Sequence, residues 1–201
     1  MSRLRTLIAA SILPLGSLVA QNPAPNAGPP VDPMSTVLRN ATTGRRNNIA
    51  RAFDSIPESK FGYKPTPAQL TIGYIAAHVA SDSYLFCSNY GDMKPNLSDK
   101  EKATPDSVKA TTWPKDSLVA RLKAAFAFCD EAQKQLTDAK LAEMITITAP
   151  NGTTRQVVRL QYPVGHVGDL ADHYSQLANY MRALGITPPT ALPRPGRGGN
   201  K

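Results

Sequence analysis

Apolar residues recur at three- and four-residue steps in four separate stretches of the chain, the period of a helix that turns one face inward. In the first stretch these are Val37, Leu38, Ala41, Ile49, Ala52, Phe53 and Ile56. They predict a helix over about Ser35 to Ser55, weakened at Gly44 and ended by Pro57. The second opens at Thr66-Pro67-Ala68-Gln69, with Thr66 as N-cap and Gln69 completing a capping box. It runs to about Tyr90 and stops at Gly91, with Leu70, Tyr74, Ile75, His78, Leu85 and Phe86 on the expected core side. The third starts near Lys115 and carries Leu118, Leu122, Ala125, Cys129, Ala132 and Leu136. The fourth begins around Tyr162 to Val164 and carries Val167, Leu170, Tyr174, Leu177, Met181 and Leu184. Gly185 suits its C′ position, and Pro188-Pro189 prevent continuation.

Between the third and fourth helices the period changes. Met144 to Thr148 and Thr153 to Val158 are short β-favouring runs around Asn151-Gly152, a hairpin turn signal. Asp92 to Pro114 is a long polar connection with a short helical turn expected near Ser98 to Lys102. Connections of this length often edge a functional cleft. Trp113 is the lone tryptophan, and its simplest use is to pack that connection onto the helices. The pattern predicts an all-α bundle of four helices with a small β-hairpin between helices three and four.

The ends of the chain fall outside this pattern. Arg3 and Arg5 precede an apolar run from Leu7 to Val19 that closes on Ala20, the layout of a secretory signal peptide over residues 1–20. The alternative is an uncleaved anchor, but the run is short for a span and is broken by Pro14 and Gly16. Gln21 to Pro33 reads as a disordered spacer and residues 187–201 as a disordered, basic, Pro/Gly-rich tail. The expected domain is residues 34–186 of an exported protein, periplasmic or secreted, with no membrane attachment after cleavage.

Charge narrows the class of partner. The formal +8 of the 201-residue chain falls to +3 once Arg3, Arg5, Arg194, Arg197 and Lys201 are set aside. That excess is too small, and too free of aromatic interleaving, to imply nucleic acid. The cysteines are Cys87 and Cys129, both on predicted helices. In an exported chain they are a disulfide candidate that would pin two helices together. The alternative is a pair of buried thiols behaving as small hydrophobes.

The candidate chemistry lies on the fourth helix. Beside its apolar face runs a second stripe, Asp169, His173, Gln176 and Tyr180. Asp169 and His173 are four apart, the spacing that points two ligands at one ion. His78 sits on or next to the buried face of the second helix, and Asp82 follows one turn later. His166 is two turns from His173, roughly 10 Å of rise, so it reads as a helix-start residue or a pocket wall. There is no Gly-rich phosphate loop, no Cys-x-x-Cys pair and no Gly-x-Ser-x-Gly elbow.

Three pieces resemble the DinB-like superfamily. Ile56 to Cys87 (IPESKFGYKPTPAQLTIGYIAAHVASDSYLFC) is similar to the family's "PE…KP…G…H" run. Arg121 to Leu136 (RLKAAFAFCDEAQKQL) is similar to the third helix of exported members. Asp169 to Pro189 (DLADHYSQLANYMRALGITPP) is similar to the "HxxxH-x-x-Q…Y-x-R…G…PP" ending. The resemblance implies an up-down four-helix bundle with a divalent metal held by three histidines, one on helix two and two on helix four. Carried across, these positions fall on His78, Asp169 and His173, with Asp169 standing where the family pattern has histidine. Two imidazoles and a carboxylate still suit zinc, nickel or iron. An alternative role for Asp169 is to hydrogen-bond His173. Asp82 and Gln176 are then candidates for orienting a ligand, and Tyr84 or Tyr180 for lining the pocket.

Members of this superfamily include thiol-dependent transferases and isomerases and metal-dependent hydrolases. The resemblance therefore implies a metal-dependent enzyme acting on a small molecule. The competing reading is a non-catalytic exported bundle whose metal site has degenerated, which the histidine-to-aspartate departure favours. A homodimer is compatible with the sequence, which does not set the oligomeric state.

Overall fold

The computed structural model describes residues 31–103, 112–149 and 151–193. Residues 1–30, on which the expected leader and most of the expected spacer fall, lie outside the described residues. Four long or moderate helices carry the fold: α1 (Pro33–Ser55), α2 (Ile72–Gly91), α4 (Lys115–Lys134) and α6 (Gln161–Ala183). Two short ones, α3 (Asp99–Ala103) and α5 (Asp138–Leu141), lie in the connections. Strands β1 (Met144–Thr148) and β2 (Thr154–Val158) pair antiparallel, Met144 opposite Val158 through Thr148 opposite Thr154. The helices are those of the expected bundle. α2 packs on α4 and α6, and α1 packs on α6 and α4. Among the described residues no helix is long and apolar enough to cross a membrane.

Chain directions follow from the contacts. Gly73 meets Leu118 and Gly91 meets Ala132, so α2 and α4 run parallel. Phe86 lies against Gly165 while His78 faces His173, so α2 and α6 run antiparallel. The bundle is therefore up, down, down, up. A parallel neighbour needs a connection that returns the length of a helix, and residues 92–114 between α2 and α4 supply it.

The second helix begins later than its capping signal. Gln69 does bond back to Thr66, but as an isolated turn. The helix starts at Ile72, where the Thr71 hydroxyl caps the Tyr74 amide and loop carbonyls of Tyr63 and Phe61 take the amides of Ile72 and Gly73. Of the expected core side Ile75 is buried, and the stripe of small residues from Gly73 to Cys87, along which the sequence allows another helix to approach closely, is the face that α4 takes. Leu70 and Leu85 are exposed, and Ile72, Gly73, Ala76, Ala80, Ser83 and Cys87 face inward. Small side chains win this face because α4 approaches too closely for leucine: a Cβ on Gly91 would collide with Ala132. The first helix repeats the lesson. Val37 is exposed, whereas Thr42 and Arg46 are buried. Arg46 reaches the Phe126 carbonyl at 2.6 Å, Asp130 at 2.7 Å and Gln133 at 2.9 Å, so its charge is paired.

The last helix closes in a Schellman arrangement: Ile186 N–H bonds the Met181 carbonyl, Gly185 N–H bonds Arg182, and Gly185 takes φ +73°. Residues 187–193, expected to belong to a structureless tail, fold back instead. Pro189 is buried and the Tyr174 hydroxyl bonds Thr190 at 2.9 Å. Residues 194–201 lie outside the described residues. In the hairpin turn, Gly152 takes φ +81° and its N–H bonds the Ala149 carbonyl at 2.9 Å. Arg159 clamps the hairpin base to the end of α2 by bonding Asn89 O, Asp92 and Glu143. Trp113 packs on the core with the Lys100 ammonium 4.1 Å above its ring.

Cys87 and Cys129 form a disulfide between α2 and α4, with Cα atoms 5.2 Å apart. His166 lies against it, in the second turn of α6 and not at the helix start. It is fully buried, stacked on Phe86, with the Tyr90 hydroxyl 3.1 Å from Nδ1 and Ser83 Oγ 3.3 Å from Nε2. Burial, helped by the Arg46 charge, pushes its pKa down to about 3. The unfolded chain therefore binds a proton that the native state refuses between pH 6.5 and about 3. Across that window His166 makes stability drop as the pH is lowered, at up to about 1.4 kcal/mol per unit. His166→Gln is expected to flatten this slope in urea unfolding curves taken from pH 7 to 4. A slope equal to wild type would show that His166 does not carry it.

Candidate metal centre

The antiparallel crossing of α2 and α6 brings two i, i+4 pairs face to face. On α2, His78 Nε2 lies 3.3 Å from Asp82 Oδ2. On α6, His173 Nε2 lies 3.3 Å from Asp169 Oδ1. The two imidazoles meet edge to face with ring centroids 4.8 Å apart. One ligand atom from each of the four residues lies within 4.8 Å of every other. Asp169 and His173 are the more buried pair; His78 and Asp82 keep 30% and 25% of their side-chain surface and form the open side.

The environment of each group follows from this placement. Tyr74 stacks on His78 from the preceding turn, at 5.7 Å. Gln176 Oε1 lies 3.2 Å from His173 Nδ1. With Nδ1–H donating there, the Nε2 lone pair faces the cluster. Burial would pull the His173 pKa down, but Asp169, Gln176 and Asp172 outweigh it and lift it above the ordinary value. Asp82 is raised above the usual carboxylate range, by burial first and by the facing Asp169 carboxylate, against the pull of His78 and His173. Two carboxylates sharing one low-dielectric site favour a proton or a cation between them.

The donor set fits a divalent ion. Two ligand atoms on a tetrahedral ion with bonds of ~2.05 Å stand ~3.4 Å apart, close to the 3.3 Å within each His–Asp pair. Asp169 Oδ2 is buried without a hydrogen-bond partner, an acceptor left over that an ion would satisfy. Two imidazoles and two carboxylates also match the charge of a divalent cation and suit zinc, iron or nickel.

Of the residues singled out from sequence, His78, Asp169 and His173 converge here, and Gln176 bonds His173. Asp82, expected beside the ligands, stands among them. Its carboxylate belongs to a different helix from Asp169, so only the crossing reveals their proximity. Tyr180 is two turns beyond His173 and packs edge-on against Tyr63, ring centroids 6.0 Å apart, within the core. Tyr84 packs on Phe128. His166 stays with the disulfide.

Fold and site together define a four-helix-bundle protein with a candidate histidine–carboxylate metal centre. The DinB superfamily model matches residues 41–177, more than half of the chain, and the chain belongs to that superfamily. None of the curated proteins matches the sequence. Among solved structures it is similar to a DinB-like protein from Bacillus cereus ATCC 10987, with 16% identity and a TM-score of 0.56 over 76% of this chain and 93% of that one. It is also similar to a mycothiol-dependent maleylpyruvate isomerase, with 16% identity and a TM-score of 0.54 over 71% of this chain. The chain spans 60% of the isomerase's length. At these identities the likeness establishes the fold.

Proposed function

We propose that this chain is an exported, divalent-metal-dependent enzyme that acts on a small molecule by hydrolysis or thiol transfer. The observation that carries the reading is the convergence of His78, Asp82, Asp169 and His173 around a buried carboxylate oxygen with no partner. A bound divalent ion supplies Lewis acidity and lowers the pKa of a water or thiol beside it. The chain's own groups do the rest. Gln176 holds the His173 tautomer, the buried Asp169–His173 pair provides a rigid wall, and the more open His78–Asp82 pair leaves the approach for substrate. The mycothiol-dependent isomerase among the structural relatives supports a thiol-using reaction, and the disulfide supports an oxidising compartment, where such thiols are scarcer. Hydrolysis is therefore favoured over transfer.

Elemental analysis of untagged protein tests the metal reading. Wild type is expected to hold close to one divalent ion per chain, and His173→Ala close to none. Equal, negligible metal in both would favour the second reading, a non-catalytic bundle, to which the aspartate at position 169 points. Export is tested by fractionating cells that express the full chain, and recovery of all of it in the cytoplasm with its N-terminus intact would refute that part.

A further inference from the structure

The metal centre occupies only part of the groove between α2 and α6. His78, Asp82, Leu85 and Asn89 are spaced i, i+4, i+7 and i+11, so they form one stripe along α2. On α6, Tyr162, Asp169 and His173 share a stripe in the same way. Because these helices are antiparallel, both stripes continue from the metal centre toward the hairpin.

They end at a half-enclosed cavity of about 420 Å³, a volume within the range of small-molecule sites. Leu85 and Asn89 of α2, Thr146 and Thr148 of β1, Arg155 of β2 and Tyr162 of α6 surround it. Its near end is one helical turn from Asp82, ~4.5 Å of rise, and Tyr162 is ~10 Å along α6 from Asp169. The Phe86 ring lies between α2 and α6 at this level, its centroid 6.4 Å from Tyr162 and 5.2 Å from His166. It packs down on α6 where Gly165 leaves room, since a Cβ at 165 would stand 2.9 Å from that ring. Leu85, 57% exposed, gives the cavity an apolar wall. Arg155 is the cavity's charged group, and among the described residues its guanidinium makes no hydrogen bond or ion pair while acting electrostatically on Tyr162.

We propose that this cavity between the hairpin and α2 is a substrate-binding subsite that takes the carboxylate end of an elongated small molecule, held by Arg155 with its chain along Leu85 and Tyr162, while the reacting end lies at the metal centre, ~10 Å of helix rise along α6 from Tyr162. The assignment rests on the metal-centre reading for the position of the reacting end. The carboxylate end rests on the cavity alone.

Isothermal titration with defined probes separates the two. Metal-free wild type is expected to bind octanoate, and Arg155→Gln to weaken it by about tenfold or more. Arg155 is exposed on the hairpin, so the variant's unfolding midpoint should match wild type. In zinc-loaded protein, affinity across the series from butanedioate to dodecanedioate is expected to peak at about eight to ten carbons, the extended length that spans the groove. Arg155→Gln should flatten that peak and leave acetate binding unchanged. Octanoate and dicarboxylate affinities that ignore Arg155→Gln would overturn the subsite. Sensitivity to Arg155 with no effect of zinc would keep the subsite and remove the metal centre as its partner.

Discussion

Zinc at a thousand times its dissociation constant is expected to stabilise the wild-type chain by about 4 kcal/mol, and His173→Ala to abolish nearly all of that gain. The size follows from mass action, because the unfolded chain does not hold His78, Asp82, Asp169 and His173 together. The pH dependence has a definite sign. In the metal-free chain His173 titrates above its ordinary pKa. Its pairing with Asp169 therefore stabilises the fold fully below pH 6.5, and that stabilisation is lost as pH rises through the folded value. An ion competes with the His173 proton and with the proton favoured on Asp82, so the ion-dependent gain should grow from pH 5 to pH 8. Asp169→His, which restores the superfamily's usual residue, should keep the gain. Urea unfolding with zinc and with chelator, for wild type and both variants, reads all of this. Midpoints that coincide across every condition would end the metal reading.

Breaking the Cys87–Cys129 bridge should cost about 4 kcal/mol, from the loop of 42 residues that it closes in the unfolded chain. Both half-cystines are fully buried. Reductant therefore reaches them through opening of the α2–α4 contact, and reduction of native protein should be slow and should accelerate in urea. Cys129→Ser gives the same loss without reductant, apart from the packing of one sulfur. Unfolding curves with and without reductant measure it. If the midpoint shifts by less than a few tenths of a kcal/mol equivalent, the bridge does not constrain the unfolded chain as argued.

The bridge and the candidate metal centre show how differently two features can be written in a chain. Cys87 and Cys129 were legible as a disulfide candidate, with two buried thiols as the alternative, because they were the chain's two cysteines and fell on two helices that could be pinned together. Asp82 carried no comparable sign. One turn after His78, it read as a group that orients a ligand, and it became a member of the cluster only because α6 crosses α2 with Asp169 at the same level. Arg46 was also hidden. A charged residue on an apolar stripe is ordinarily read as solvent-facing, and its burial depends on Asp130, Gln133 and the Phe126 carbonyl, all on α4.

Local forces acting within single segments were enough to write four helices, a hairpin, a C-terminal glycine cap and an i, i+4 aspartate–histidine pair into the sequence. Periodicity and turn chemistry act over a few residues, so they are readable one residue after another. The parallel run of α2 and α4, the start of α2 at Ile72, and the meeting of two carboxylates with two imidazoles belong to the tertiary structure. Each depends on which helices become neighbours and how closely they approach, and that is decided by packing between segments far apart in the chain.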